Sequence, residues 1–455
     1  MPMRISDTPH AQLASRTRWA LIFFFGIFGL FTTVWGGRLP SIRSELAISD
    51  GQIGAILMVG AIGSLSCVGF AGAINTRLGS RNTLLLASAL ALLGMGGLGM
   101  SILWQSPQLF ALALLINGLS IPPLNVTVNL EGARVERFMG SPVLPHMHAA
   151  FPVGAGLGSV IAAQTAALHI NPGWHVISIV LVVTALRCVL IKPATMMQEG
   201  YVDVLAPSTG QATEAVELTP ASGPSAISDA DAGPALAVDA SDAMSDLDTA
   251  GASGLVKPQR KTSRGAALAA WSERRTVLIG VVLFAATMSE GAAGNWLTLA
   301  VVDGFESSSG VGALAYGTFV LGLFTGRILG ARALSRFGRV TVLYTCGSTA
   351  LAGLLLFGLA PTLPLAWLGI ILWGLGASMA WPTAMAASAD NPIKAASRLA
   401  VTTTFASVAM VAVPPALGLI ADSWGIRHAL LLITIAMVVS LFATHAAAPE
   451  QESAA

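Results

Sequence analysis

Apolar residues in this chain come in long unbroken blocks, not in alternating or narrow amphipathic stripes. Six blocks cover 18–39, 51–74, 82–103, 108–130, 145–168 and 175–192, and six more cover 276–302, 311–333, 340–360, 364–388, 399–421 and 426–446. A bilayer core takes about 20 apolar residues per helix, so the pattern predicts twelve transmembrane helices and an all-α, polytopic membrane protein. The run from Trp19 to Trp35 follows Arg16 and Arg18 as a secretory leader would. It is long enough to span, and no Ala-x-Ala-like site closes it, so it is expected to remain as the first helix. The organisation expected is a tail at 1–17, a six-helix bundle at 18–192, a linker at 193–270, a second bundle at 271–446 and a tail at 447–455.

Composition supports lipid as the solvent: 54% of residues are hydrophobic and 10% charged, against about 25% charged in soluble domains. A net charge of +1 leaves no basic excess for nucleic acid. Cys67, Cys188 and Cys346 lie far apart in apolar blocks, with no metal or disulfide spacing. Between Lys192 and Lys257 there is no basic residue among acidic, Ala, Ser, Pro and Gly positions. Such a segment buries no core and is expected to be a disordered acidic linker, a tether or a regulatory element. The basic stretch from Lys257 to Arg275 is expected to return to an anionic membrane surface.

Lysine and arginine set the orientation. With both termini inside, Arg43 and Arg427 fall in outer loops, Arg38 at an outer helix end and Arg327 within a span, while the rest of the 24 basic residues stay cytoplasmic. Shifting the chain by 259 positions aligns 49–99 with 308–358 and brings Arg77-Leu78-Gly79 onto Arg336-Phe337-Gly338, both in a short cytoplasmic turn. Paired bundles of this kind build alternating-access carriers, with the solute held between the halves.

The segment Gly72 to Arg81 resembles the major facilitator superfamily loop G-x-x-x-D-R-x-G-R-R, and Ala331 to Val340 is its weaker echo. The family's aspartate is Thr76 here and Ser335 in the repeat, and Ser80 stands for one arginine. Trp35-Gly36-Gly37-Arg38, Asn129-Leu130-Glu131-Gly132, Pro145-His146-Met147-His148, Glu290 to Leu297 and Trp373 to Ser378 are similar to a poorly characterised bacterial inner-membrane branch of that superfamily, distantly related to fucose and sugar permeases. The resemblance implies two pseudo-symmetric six-helix bundles, proton-coupled solute transport, and a gating role for Arg77, Gly79, Arg81, Arg336 and Gly338.

Polar groups in hydrocarbon are costly, so those that persist mark a cavity or a partner. Glu290 lies about 21 Å from the cytoplasmic end of the seventh helix and is the expected coupling or binding acid, or one member of a structural ion pair with Arg327. Gly291 and Gly294 beside Asn295 are expected to weaken that helix and free carbonyls. Asn117, Asn125 and Asn129 share a side of the fourth helix, interrupted by Pro122-Pro123, and suit either a hydroxyl-rich solute or interhelical bonding. Glu131 and His148 near the cytoplasmic ends of helices four and five form a candidate proton relay, or are exposed at the interface. Arg38 is expected to snorkel or to attract an anion. Trp35 and Trp296 are placed near outer helix ends, and Trp373 and Trp381 deeper, where they line a pocket; any of the four suits stacking on a sugar.

No nucleotide, metal or hydrolytic motif is legible, so the expected protein is not an enzyme and has no cofactor, the proton gradient being its energy source. The expected function is secondary transport, as a proton-coupled symporter of a small polar solute in the bacterial inner membrane, acting as a monomer. A drug or metabolite exporter, or a non-transporting sensor or scaffold, are the other two readings.

Overall fold

The computed structural model describes residues 9–141, 143–197, 269–391 and 394–450. Most of the segment expected to be an acidic linker, 193–270, lies outside the described residues, as do the ends of both tails. The described residues are helical, without a strand. The helices are α1 (Pro9–Gly36), the short α2 (Leu39–Leu46), α3 (Asp50–Leu103), α4 (Pro107–Met139), α5 (Leu144–Ala167) and α6 (Pro172–Ala194). The second half holds α7 (Arg274–Gly304), α8 (Ser309–Leu359), α9 (Leu363–Ser388), α10 (Ala395–Trp424) and α11 (Ile426–Ala447).

Ten of these are long and apolar enough to cross a membrane, and two of the ten, α3 and α8, have 54 and 51 residues. At 1.5 Å per residue each would run to about 80 Å, far beyond a hydrocarbon core of about 30 Å. Both turn back, α3 at Gly79 (φ 74°, ψ 160°) and α8 at Gly338 (φ 77°, ψ 167°). Counting each as two spans gives the twelve helices of two six-helix bundles. A positive φ excludes most side chains. At Gly338 an added Cβ would meet nothing within 4 Å, so the backbone angle, not space, requires glycine. The first helix starts at Pro9, earlier than the expected 18, and its added turns bury Ala14 and Thr17.

In the first half α1 packs on α5 and α6, and α3 on α4 and α6; in the second, α7 packs on α10 and α8 on α9. The halves meet where α3 packs on α10 and α5 on α8. Both seams lie at the end bearing Arg43. There a Cβ on Gly54 would stand 2.5 Å from the Pro414 carbonyl, and one on Gly310 3.0 Å from that of Ala163. The core follows the same division. One apolar cluster crosses between the halves at the Arg43 end, joining Ile42 and Ile53 to Leu297 and Leu417. At the Gly79 end two separate clusters occur, one around Phe24 and Met147 and the other around Leu283 and Leu399. The bundles are therefore closed on each other at one end and have separate cores at the other.

Two expected interruptions are absent. α7 runs through Gly291 and Gly294, and α4 through Pro122-Pro123, without a non-helical residue. The two glycines make room instead: an added Cβ on Gly291 would meet nothing, and one on Gly294 would sit 3.4 Å from the Tyr316 hydroxyl. The break occurs in α9, at Ser378–Met379.

Candidate functional site

Thr287, Gly291 and Asn295 recur at four-residue steps on α7 and so share one face. That face, with Trp296, Trp381 of α9 and Met410 of α10, lines a cavity of about 170 Å³. Glu290 enters the same cavity. Its Oε2 lies 3.5 Å from Arg327 Nη2, and its side chain is 24% exposed against 42% for Arg327. Arg327 Nε also donates, at 3.4 Å, to the Ser378 carbonyl at the break in α9. The arginine thus bridges a carboxylate and a carbonyl at an interrupted helix.

Three buried polar atoms on this cavity wall have no hydrogen-bond partner: Thr287 Oγ1, Glu290 Oε1 and Trp296 Nε1. An orphaned buried donor or acceptor costs about 1–3 kcal/mol. A threonine hydroxyl, a carboxylate oxygen and an indole donor on residues lining one small space are groups that a compact polar ligand could satisfy.

The structure places Glu290, Asn295, Trp296 and Trp381 together on this cavity, with Arg327 paired to Glu290. Other candidates stand elsewhere. Trp296 is fully buried rather than in an interfacial belt. Trp373 is also fully buried and donates Nε1 to Ser289 Oγ at 2.8 Å, bracing α9 on α7. Trp35 is half-buried and packs on the core at the Arg43 end. Arg38 neither snorkels nor faces a vestibule: it is 2% exposed and donates to Thr165 Oγ1 at 3.0 Å and to the Ile170 carbonyl at 2.7 Å. With two close acceptors inside the protein, it has no reason to reach for headgroups.

On α4, Asn129 Nδ2 donates to Asn125 Oδ1 at 2.6 Å, so these two share a side as their spacing requires. Asn117 is buried against Gly94 of α3, where a Cβ would clash with the Asn117 backbone at 2.5 Å. The amide stripe is therefore divided between a pair that joins exposed Asn125 to buried Asn129 and a helix contact at Asn117. Glu131 is fully buried and pairs with Arg134, which donates to Ser80 Oγ at 3.3 Å beside the Gly79 turn. His148 is exposed and packs edge-on against Phe25, with ring centroids 4.8 Å apart. Arg77, Arg81 and Arg336 are exposed around the two turns, Arg336 over the Phe337 ring at 5.4 Å.

The position 259 residues after Glu131 is Asp390, which pairs with Arg339 beside the Gly338 turn and with Arg275 at 2.8 Å. Each half thus ties its own turn with a carboxylate, and the internal offset would have found the second from the first. Close by, Glu273 accepts from Lys394 at 2.9 Å and from Arg398 at 2.7 Å, and Arg398 holds Glu450 through both oxygens at 2.9 Å. Slight burial pushes the Glu273 carboxyl up, but hydrogen bonds from Arg398, Lys394 and Thr276 outweigh it and hold it at about 2. Hydrogen bonding to Arg398 likewise lowers Glu450. Sequence reasoning also missed Thr287 and Tyr316; a tyrosine inside an apolar span was the available signal, one of only 3 in the chain.

Two six-helix bundles, the second of which holds the cavity beside Glu290, define a polytopic helical membrane protein. The Major Facilitator Superfamily family model matches residues 279–454 of the chain. It is 26% identical over 407 residues to the uncharacterized transporter y4wD of Sinorhizobium fredii, covering 89% of this chain and 90% of the relative. It is 22% identical to an uncharacterized MFS-type transporter of Yersinia pestis, covering 90% of this chain and 92% of the relative. Among solved structures, the D-xylose-proton symporter superposes with a TM-score of 0.66 at 14% identity, covering 95% of this chain and 96% of its own. The nucleoside transporter NupG gives a TM-score of 0.65 at 12% identity, covering 96% and 98%.

Proposed function

We propose that the protein is a proton-coupled symporter for a small polar solute, a sugar, polyol or related metabolite, working by alternating access. The observation that carries this reading is that three residues lining one cavity, Thr287, Glu290 and Trp296, each hold a buried polar atom without a hydrogen-bond partner. Glu290 is the coupling acid. Its free oxygen takes a proton or a solute hydroxyl, while Arg327 balances its charge. Trp381 supplies a flat apolar wall for a ring or carbon chain. Two structural neighbours, a D-xylose-proton symporter and a fucose:proton symporter, are in keeping with this class.

A cavity of about 170 Å³ is smaller than the roughly 300–1,000 Å³ typical of drug-sized sites, which favours a small solute over drug export. On this reading the protein acts as a monomer in a bacterial inner membrane, with both termini and the Gly79 and Gly338 turns cytoplasmic and the Arg43 end outside; exposed arginine at those turns supports that orientation. In this orientation the conformation is closed outward.

Purified protein in proteoliposomes tests the proposal. An imposed inward proton gradient should drive accumulation of a small polar solute from a metabolite panel, and Glu290→Gln should leave only gradient-independent exchange. Extrusion, or uptake by Glu290→Gln that still follows the gradient, would overturn it.

A further inference from the structure

At the Arg43 end two carboxylates of the second half, Asp303 and Asp422, make polar contacts that cross between the halves. Arg43, on α2, donates through Nη1 and Nη2 to both oxygens of Asp303 at the end of α7, at 2.6 and 2.7 Å. Asp422, near the end of α10, accepts from Ser49 Oγ and from the Gly51 amide, each at 3.1 Å. A carboxylate of the second half therefore caps the first turn of α3 in the first half, where unsatisfied amides and the helix dipole favour a negative charge. Close approach requires glycine at this point, since a Cβ on Gly51 would stand 2.5 Å from Asp422 Oδ2.

Each contact has a stand-in within the first half. Arg43 Nη1 also donates to Asp50 Oδ1 at 2.7 Å. The first turn of α3 carries its own capping box: the Gln52 amide donates to Ser49 Oγ at 3.3 Å, and the Ser49 amide to Gln52 Oε1 at 2.9 Å. When the halves part, Arg43 keeps Asp50 and α3 keeps its cap, while Asp303 and Asp422 pass to water. Breaking an ion pair is expensive chiefly when it strands a buried charge, and here nothing is stranded.

We propose that Arg43–Asp303 and the capping of α3 by Asp422 form a two-part releasable latch that sets how much of the protein is closed at this end. Asp50 and the Ser49–Gln52 box are the standby partners that keep release cheap. The proposal rests on alternating access and not on the identity of solute or coupling ion.

Ser41 Oγ and Ser309 Oγ lie 3.2 Å apart across the same seam. A Ser41→Cys, Ser309→Cys pair, with Cys67, Cys188 and Cys346 changed to Ala, reports closure by its rate of oxidative cross-linking. Asp303→Asn and Asp422→Asn should each lower that rate about fivefold. Arg43→Asp with Asp303→Arg should restore it when made together with Asp50→Asn, which removes the like charge 2.7 Å from position 43, and Asp50→Asn alone should leave it at or above the parent rate. Monodispersity and melting in detergent establish that each variant is folded. Unchanged cross-linking in folded Asp303→Asn and Asp422→Asn proteins, or a folded charge swap that fails to recover it, would overturn the latch. Loss of coupled transport in Glu290→Gln bears on the function proposed above and leaves this readout untouched.

Discussion

Gly79 and Gly338 stand 259 residues apart and share one backbone conformation, with φ of 74° and 77° and ψ of 160° and 167°. The same turn is thus written twice, once in each bundle, at the point where an over-long helix must reverse. Alanine at either position should lower stability by about 1–2 kcal/mol, the cost of a side chain at positive φ. A fall in melting temperature in detergent for Gly338→Ala checks this, because no neighbouring atom there offers a steric explanation. An unchanged melting point would mean that the turn relaxes to another conformation.

Trp373 and Trp381 lie on one helix and should respond differently. Trp373→Phe removes the bond to Ser289 and leaves that hydroxyl unpaired, so it should cost about 1–3 kcal/mol with the KM for the transported solute unchanged. Trp381→Ala removes a cavity wall and should raise KM with little change in melting. Equilibrium melting and uptake kinetics on both variants separate the two roles, and the reverse pattern would relocate the solute.

Arg38 is held by Thr165 and the Ile170 carbonyl, so its substitution should act on stability and not on solute charge preference. Arg38→Gln should lower melting, by about 1–3 kcal/mol for the carbonyl and hydroxyl left without a donor. Competition by anionic and neutral analogues in uptake assays should be as in the parent. A selective loss of anion competition would return Arg38 to the solute path.

The Glu273 carboxyl is held at about 2, below its ordinary value of 4.5. A depressed value means that the unfolded chain takes up the proton first on acidification. The stabilisation is therefore complete above about pH 5, declines as pH falls from 4.5 towards 2, and is gone below that. Melting measured from pH 7 to pH 3 should fall more steeply for the parent than for Glu273→Gln. Parallel curves would show that the cluster with Lys394, Arg398 and Glu450 contributes nothing to stability. Because Glu273 and its partners are partly solvated, the difference should be small and reduced by salt.

The sequence by itself determined the solvent, the number of spans and the doubling. Those features depend on local quantities, namely the length of apolar runs and a repeated Arg-x-Gly turn, and each reads directly from residue order. It also picked out Glu290 and Arg327 as a possible pair, since an acid and a base at similar depth in adjacent spans have few other partners. Only the tertiary structure decided which aromatic and amide side chains share a space. Trp296 and Trp381 converge on the cavity while Trp373 packs in the core, and Asn117 meets Gly94 while Asn125 and Asn129 pair. In lipid both faces of a helix are apolar, so the periodic contrast that marks inside from outside in soluble proteins is nearly absent, and helix rotation is fixed by small-residue contacts between distant segments. The contacts of Asp303 with Arg43 and of Asp422 with Ser49 were hidden for the same reason: their residues sit at the ends of separate helices, and only the packing of one bundle on the other brings each pair within a hydrogen bond.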